Sequence, residues 1–105
     1  MPNRDMTPTQ GSGAKNQQLD WAPEESYWRD NWSKRPYASA DRGFEYYQPG
    51  YRYGFESANR YHGRNWDDVE SDLRTQWASY AHRGQSKWEH VKGAIRDGWN
   101  RVVNR

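Results

Sequence analysis

Apolar residues recur with helical spacing in the second half of the chain, where one pattern is written twice. Residues 66–77 and 88–99 both read Trp, acid, any residue, Val, three residues, Leu or Ile, Arg, two residues, Trp. The two tryptophans of a copy are therefore eleven positions apart. Eleven residues make almost three turns of α-helix at about 3.6 residues per turn, so the apolar positions of each copy share one face. The pattern predicts two amphipathic helices, each with a tryptophan at both ends of its apolar stripe.

The interruption between the copies predicts a helical hairpin. Residues 82–86, His-Arg-Gly-Gln-Ser, break the apolar pattern. We therefore predict two helices, over about 66–82 and 87–103, which a short turn would make antiparallel neighbours. In that hairpin Trp77 would lie near Trp88 at the turn, and Trp66 near Trp99 at the open end. Two capping boxes are predicted at the helix starts, Asn65 with Asp68 and Ser86 with Glu89.

Two further helices are predicted in the first half of the chain. The first covers about 23–34 and carries Trp28 and Trp32, an i, i+4 pair on one face. The second covers about 49–62, starting at a proline and stopping at a glycine, both favoured at those positions. The fold class predicted from all four segments is an all-α bundle of three to four helices, built on the antiparallel hairpin framed by tryptophan.

The domain organisation follows from where apolar residues are absent. Residues 1–20 are polar and offer almost nothing to bury, so we predict a disordered tail there. The remaining residues, 21–105, are enough for one small helical domain.

Aromatic residues must supply the core of that domain. The chain has seven Leu, Ile and Val residues against seventeen Trp, Tyr and Phe. Each large aromatic side chain buries roughly 150–250 Å². Gly93 and Gly98, inside the last predicted helix, are expected to allow close approach of a neighbouring helix or a bulky aromatic side chain. The predicted core is Trp28, Trp32, Phe55, Trp66, Val69, Leu73, Trp77, Trp88, Val91, Ile95 and Trp99.

Charge and composition exclude several classes of function. The net charge is only +2 and is spread evenly, whereas dedicated nucleic-acid binders usually carry a strongly basic stripe. The chain has no cysteine, and His62, His82 and His90 lack metal-ligand spacing, so we expect neither a metal nor another cofactor. No catalytic motif is present, and we expect no enzyme. Without an apolar run of about 20 residues or a secretory signal, the expected location is the cytoplasm, away from membranes.

One segment is the best candidate for binding a partner. Between residues 46 and 64, tyrosines alternate with arginines, an arrangement that can stack the bases of RNA or single-stranded DNA. The same composition is typical of a tyrosine-rich helix packed against tryptophans, and a third interpretation is an aromatic-walled site for a small ligand or carbohydrate. The candidate residues are Tyr46, Tyr47, Tyr51, Arg52, Tyr53, Arg60, Tyr61 and Arg64.

Four motifs together resemble a known type of domain. They are Tyr-x-Pro-x-Tyr-Arg-Tyr-Gly from Tyr47, Arg-Tyr-x-Gly-Arg-x-Trp-Asp-Asp-Val-Glu from Arg60, Leu-Arg-x-x-Trp from Leu73, and Ser-x-Trp-Glu-x-x-Lys-x-Ala-Ile-Arg-x-x-Trp from Ser86. In this order they resemble an uncharacterised bacterial domain rich in Trp and Tyr. That domain occurs in hypothetical and stress-associated proteins, sometimes beside YsnF/AvaK-type domains. The resemblance covers about residues 27–103 and implies a stress-associated context without catalytic residues.

Details of the resemblance bear on helix starts and on the C-terminal segment. Gly50 stands where that domain commonly has Ala, and Ser71 where it often has Pro. Residues 88–103 also show a smaller similarity to CsbD-like stress proteins. The function expected from all of this is a non-enzymatic, stress-associated, cytoplasmic module for protein interaction or self-assembly. The alternative is binding of RNA or single-stranded DNA through residues 46–64.

Overall fold

The computed structural model describes residues 20–104, and this part of the chain is helical without any β-strand. The helices are α1 (Ala22–Asn31), α2 (Phe44–Arg60), α3 (Trp66–Trp77) and α4 (Trp88–Val103), with a 3₁₀ turn (Trp32–Lys34) directly after α1. The all-α fold class is therefore confirmed. The predicted tail falls, except for Asp20, outside the described residues.

Helix α1 and its 3₁₀ turn span the first predicted helix. A proline lies in the first turn of α1, where its missing N–H costs nothing, and Glu24 and Glu25 lie near the positive end of the helix dipole. The 3₁₀ turn ends at Lys34, because Arg35 precedes Pro36 and takes an extended conformation (φ −86°, ψ 149°).

Helix α2 begins five residues earlier than predicted. It starts at Phe44, not Pro49, and Pro49 lies buried in its interior. A proline in the interior of a helix removes one backbone hydrogen bond, so the sequence favours a helix that starts at Pro49. Burial of Phe44 and Tyr47 extends the helix upstream all the same. At the other end α2 stops at Arg60, two residues before the predicted end at 62.

Helix α3 is shorter than predicted, and neither predicted capping box forms. The helix ends at Trp77 instead of continuing to residue 82. The chain leaves the helix there, and Tyr80 folds back onto Tyr53, with 4.6 Å between ring centroids. Asn65 makes no side-chain cap. Helix α4 starts at Trp88 with Lys87, not Ser86, at the N-cap position and without a side-chain cap. The Ser86 hydroxyl instead donates to the carbonyl of Tyr46, 2.5 Å away.

The antiparallel hairpin of α3 and α4 is confirmed by contacts along its length. At the open end the rings of Trp66 and Trp99 meet edge to face, with centroids 5.8 Å apart. One side has an ion pair in which Lys92 donates to Glu70 at 2.7 Å and lowers the pKa of that carboxyl group. At the turn the Trp77 indole donates to the Ser86 carbonyl at 3.1 Å. Trp77 and Trp88 border one surface hollow there.

The closest helix packing in this part of the chain lies elsewhere, between α2 and α4, which run parallel. A Cβ atom at Gly54 would overlap the backbone of Ile95, and one at Gly98 would overlap the carbonyl of Tyr51. Gly50 faces Val91 in the same interface. The expectation that Gly98 permits close approach of a helix is confirmed. The hairpin is therefore not the centre of the bundle, because α4 packs more intimately on α2.

The core is aromatic, as the composition predicts. Of the eleven predicted core residues, ten are buried; Trp32 is half-buried and packs at the edge of the core. Within residues 20–104 only Tyr27 and Val103 are large apolar side chains that remain exposed. The core also takes up residues that were predicted to bind partners: Tyr47, Tyr51 and Tyr53.

Candidate partner-binding surface

Helix α2 divides the predicted tyrosine-rich surface between core and solvent. Tyr47, Tyr51 and Tyr53 are at most 4% exposed, so their rings are not accessible to a partner in this structure. The physical reason is that other elements cover these rings: Trp77 and Tyr80 lie against Tyr53, and Trp32 lies against Tyr47. The alternative interpretation of this segment, a tyrosine-rich helix packed on tryptophans, describes these three residues. Trp28, for example, stacks on Tyr51 at 4.2 Å and an interplanar angle of 9°.

Tyr46 remains at the surface but is held by α4. Its hydroxyl lies 2.6 Å from Nδ1 of His90 and accepts a hydrogen bond from the backbone N–H of Lys87 at 3.3 Å. The bond between the phenol and His90 links α2 to α4, and the bond from Lys87 links α2 to the residue just before α4. The Arg42 guanidinium covers the ring at 4.9 Å. Tyr46 therefore belongs to the contact between α2 and α4 and does not present a free aromatic face.

Of the four remaining candidate residues, one lies in the middle of α2 and three lie at or just after its C-terminal end. Arg52 donates to Glu56 at 2.9 Å, one turn along the helix. Arg60 is exposed, donates to the Gln76 side chain at 3.0 Å and lies over the half-buried ring of Tyr61. Arg64 follows α2 and is exposed. The structure thus brings Arg60, Tyr61 and Arg64 together at one end of the bundle.

Arginines cover aromatic rings over much of the described surface. A guanidinium carbon lies between 3.5 and 5.9 Å from a ring centroid in five places, within the range of cation–π attraction. The pairs are Arg29 over Phe44, Arg42 over Tyr46, Arg60 over Tyr61, Arg96 over Trp66 and Arg101 over Tyr27. These rings present a covered face, and these cations already have an intramolecular partner.

A polar cluster that the sequence did not indicate joins the loop after the 3₁₀ turn to α4. Tyr37 lies over Gly93, so the expectation that this glycine admits a bulky aromatic is confirmed. The Tyr37 hydroxyl donates to Oδ2 of Asp97 at 2.5 Å and lies 2.7 Å from the Tyr51 hydroxyl. Arg35 donates to both oxygens of Asp97, at 2.7 and 3.2 Å. No sequence signal could have paired residues 60 positions apart.

Burial raises the pKa values of the phenols in this cluster. For Tyr37, burial is the first cause and the hydrogen bond to Asp97 the second. Burial likewise raises the pKa of Tyr51. Elsewhere burial raises the pKa of Tyr53 to about 12, and its hydroxyl donates to the carbonyl of Leu73 at 2.8 Å. Burial and the bond to Glu56 raise the pKa of Tyr80. These phenols are therefore protonated at neutral pH.

A hollow of about 450 Å³ opens at the end of the bundle where α2 and α4 terminate. Its apolar side consists of Ala58, Val102 and Val103, and Val103 is 46% exposed. The rest of its lining is the loop between α2 and α3, residues 62–65. Within that lining the charged side chain is Arg64. Sequence analysis named Arg64 but missed the two valines, which continue the apolar stripe of α4.

Neither metal ligation nor a membrane span is indicated by the described residues. Between residues 20 and 104, no three or more His, Asp and Glu side chains gather closely enough to hold a metal ion. None of the helices in that range is long and apolar enough to cross a membrane. The three histidines are well separated: His62 follows α2, His82 follows α3, and His90 contacts Tyr46.

Comparison with known proteins leaves the family open. No family model matches the chain, and no curated protein or solved structure matches it significantly. The resemblance of residues 27–103 to the bacterial Trp- and Tyr-rich domain therefore stays a prediction.

Proposed function

We propose that this protein is a non-enzymatic protein-interaction module, and that it binds its partner at the hollow formed by Ala58, Val102, Val103 and residues 62–65. The observation that carries the proposal is the exposure of Val103 in that hollow. The core takes up most other large apolar side chains between residues 20 and 104, and covering Val103 by a partner would bury further apolar surface.

The charge of the hollow indicates what kind of partner segment fits. Arg64 is exposed on its rim, and the lining contains no Asp or Glu. A carboxylate placed beside Arg64 would gain a charge-assisted hydrogen bond. The proposed occupant is therefore a protein segment that presents an apolar side chain to the valines and a neighbouring acidic side chain to Arg64.

The cellular setting is a further part of the proposal. A stress-associated role rests on the resemblance of residues 27–103 to domains found beside YsnF/AvaK-type domains. A cytoplasmic location rests on the absence of cysteine from the sequence. Neither depends on the hollow.

Binding of RNA or single-stranded DNA is the alternative, and it has fewer residues available than the sequence indicated. With three of its five tyrosines buried, the segment 46–64 retains Tyr46 and Tyr61 near the surface, both under an arginine. No contact in the described residues favours a nucleic acid over a protein.

The proposal is tested by changing the charge of the hollow without changing the fold. Val103→Asp introduces a carboxylate among the valines and should abolish binding; Arg64→Glu should weaken it. Asn104→Asp is the matched control, because it adds the same charge one residue further along, outside the lining of the hollow. The measurement is quantitative mass spectrometry of proteins captured from a bacterial lysate by the immobilised full-length chain, with light scattering of the free chain.

The outcomes separate the possible occupants. Partners lost with Val103→Asp and kept with Asn104→Asp support the proposal. A complex of the chain with itself that Val103→Asp dissociates would identify a second copy as the occupant. If no captured protein and no self-association responds to Val103→Asp, the proposal is wrong. Salt-dependent binding of a single-stranded oligonucleotide that responds to changes at Arg60 but not at Val103 would favour the alternative.

A further inference from the structure

The hydrogen bond between Tyr37 and Asp97 has a chemical consequence that is independent of the hollow. We propose that these two residues form a one-electron oxidation site, where a diffusing radical oxidant takes an electron from the Tyr37 phenol as the phenolic proton moves to Asp97. The site would let the protein reduce radicals such as peroxyl species. It uses none of the residues that line the hollow.

The geometry provides the proton acceptor that such a step requires. A phenol that loses an electron becomes strongly acidic, so it is oxidised readily where a base stands within hydrogen-bond distance. Oδ2 of Asp97 lies 2.5 Å from the Tyr37 oxygen. A carboxylate has no proton to donate, so Tyr37 donates to Asp97 and Tyr51 donates to Tyr37 at 2.7 Å. The bond from Tyr51 remains when the proton leaves, and it stabilises the phenoxyl oxygen.

The charge balance also favours this pair. Loss of an electron alone would leave a positive charge on a half-buried ring, which is costly in a low dielectric. Transfer of the proton to Asp97 leaves a neutral radical beside a neutral carboxylic acid. The uncompensated charge is then that of Arg35, whose side chain is 43% exposed to water. Solvent can therefore screen the charge that the oxidation creates.

Two other phenols have a base within reach, but each has a less favourable environment. Tyr46 shares a hydrogen bond with His90, and the Arg42 guanidinium over its ring opposes the loss of an electron. Tyr80 donates to Glu56 at 2.8 Å, a longer distance than in the Tyr37 pair. Tyr37 alone among these three also accepts a hydrogen bond from a second phenol.

Ring contacts connect Tyr37 to the interior of the bundle. Its centroid is 6.4 Å from that of Tyr51, and Tyr51 stacks on Trp28 at 4.2 Å. On its other side Tyr37 lies 5.7 Å from Tyr47. If an oxidant first removes an electron from Trp28 or Tyr47, electron transfer between adjacent rings can therefore move the oxidation to Tyr37. The radical is then localised on Tyr37, because only there does the phenolic proton pass to Asp97.

The step balances as follows. The O–H bond of Tyr37 breaks, its proton forms the O–H bond of protonated Asp97, and one electron passes to the oxidant. A peroxyl radical becomes a peroxide anion, which takes a proton from water. A one-electron reductant of small-molecule class, such as ascorbate, restores the phenol, with the proton returning from Asp97.

The test is flash photolysis of the full-length protein with tris(bipyridine)ruthenium(III), generated by a laser pulse, as the oxidant. We expect a long-lived tyrosyl radical, detected by its absorption and by electron paramagnetic resonance of rapidly frozen samples. Tyr37→Phe should remove it. Asp97→Asn should slow its formation about 10²-fold, at the lower end of what a positioned base contributes. Tyr80→Phe is the matched control and should leave both the signal and its rate unchanged.

A measurement on the unsubstituted chain guards against loss of folding in the variants. If the proton moves with the electron, the radical of the unsubstituted protein forms more slowly in D₂O than in H₂O, and this result does not depend on the folding of any variant. Circular dichroism checks that each variant remains helical. A long-lived radical that persists in folded Tyr37→Phe would overturn the proposal. A rate of radical formation that is unchanged both by D₂O and by Asp97→Asn in a folded variant would also overturn it.

Discussion

Single glycines determine how closely the two central helices approach. At Gly54 and Gly98 the backbone of one helix occupies the space that a Cβ atom would take on the other. The obstructing atoms belong to the backbone, which cannot move aside as a flexible side chain can. At most helical positions a glycine costs stability relative to alanine, but here its lack of a side chain is what permits the packing.

Gly54→Ala should destabilise the protein by roughly 1–3 kcal/mol, despite the better helix propensity of alanine, because the new methyl group overlaps the Ile95 carbonyl. The measurement is the free energy of unfolding in urea, followed by tryptophan fluorescence. Gly43→Ala is the control, since its methyl group would meet only the flexible side chain of Glu45. It should cost less than about 1 kcal/mol. Equal losses in the two variants would contradict the packing described for α2 and α4.

Tyrosines illustrate how the same residue type takes different roles at different positions. Tyr51 is fully buried and donates to Tyr37, whereas Tyr27 is 38% exposed beneath Arg101. The difference lies in the neighbouring helices and not in the local sequence. Alternating Tyr and Arg therefore did not distinguish a binding face from a packing face.

At the scale of the elements, α4 is the helix that contacts each of the other three helices. Its stripe of Trp88, Val91, Ile95 and Trp99 is buried, with Val91 against Gly50 of α2 and Trp99 against Trp66 of α3. Its glycines admit α2 and the loop carrying Tyr37. Arg101 near its C-terminus donates to Glu24 of α1 at 2.9 Å. Each other helix of the described chain thus makes a defined contact with α4.

Trp99→Ala should cost roughly 3–5 kcal/mol of stability, because it removes a fully buried indole from the contact with Trp66. Trp77→Ala should cost a similar amount. Trp32→Ala is the matched control, with a half-buried ring at the edge of the core, and its loss should be clearly smaller. Urea unfolding followed by circular dichroism gives all three values. A loss for Trp32→Ala as large as that for Trp99→Ala would contradict the placement of α4 at the centre.

At the scale of the whole molecule, a core built from phenols and indoles makes stability sensitive to alkaline pH. Each buried phenol with a raised pKa keeps its proton in the folded state at a pH where the unfolded chain has lost it. The contribution of these phenols to stability is therefore complete below their unfolded pKa of about 10. It is lost as pH rises through the folded pKa, at about 1.4 kcal/mol per pH unit for each such phenol.

The free energy of unfolding should accordingly fall above pH 10, and Tyr53→Phe should make the fall between pH 10 and 12 less steep. The reason is that burial raises the pKa of Tyr53 to about 12 in the folded protein. Urea unfolding at a series of pH values provides the measurement, with Tyr27→Phe, an exposed ring, as the control. A fall of unchanged steepness in Tyr53→Phe would count against a raised pKa at this residue.

Local periodicity in the sequence determined the helical stripes, the aromatic core and the antiparallel hairpin. These features depend on residues at most a few turns apart, and the paired tryptophan patterns encode them directly. The predicted stripes of α3 and α4 are both buried. Arg64, which lines the hollow, was named as a binding candidate because of the unusual composition of residues 46–64, but the hollow itself was not predicted.

Tertiary packing alone decided the start of α2, the burial of Tyr47, Tyr51 and Tyr53, and the pairing of Tyr37 with Asp97. Burial of Phe44 outweighs the cost of a proline inside α2, and that balance depends on distant side chains. The early end of α3 has the same cause, since Tyr80 bonds to Glu56, 24 residues away. Local propensity is worth about 1 kcal/mol or less at most positions and about 3 kcal/mol at a proline, whereas burying each large side chain is worth about 1.5–3 kcal/mol, so the burial of several side chains together prevails.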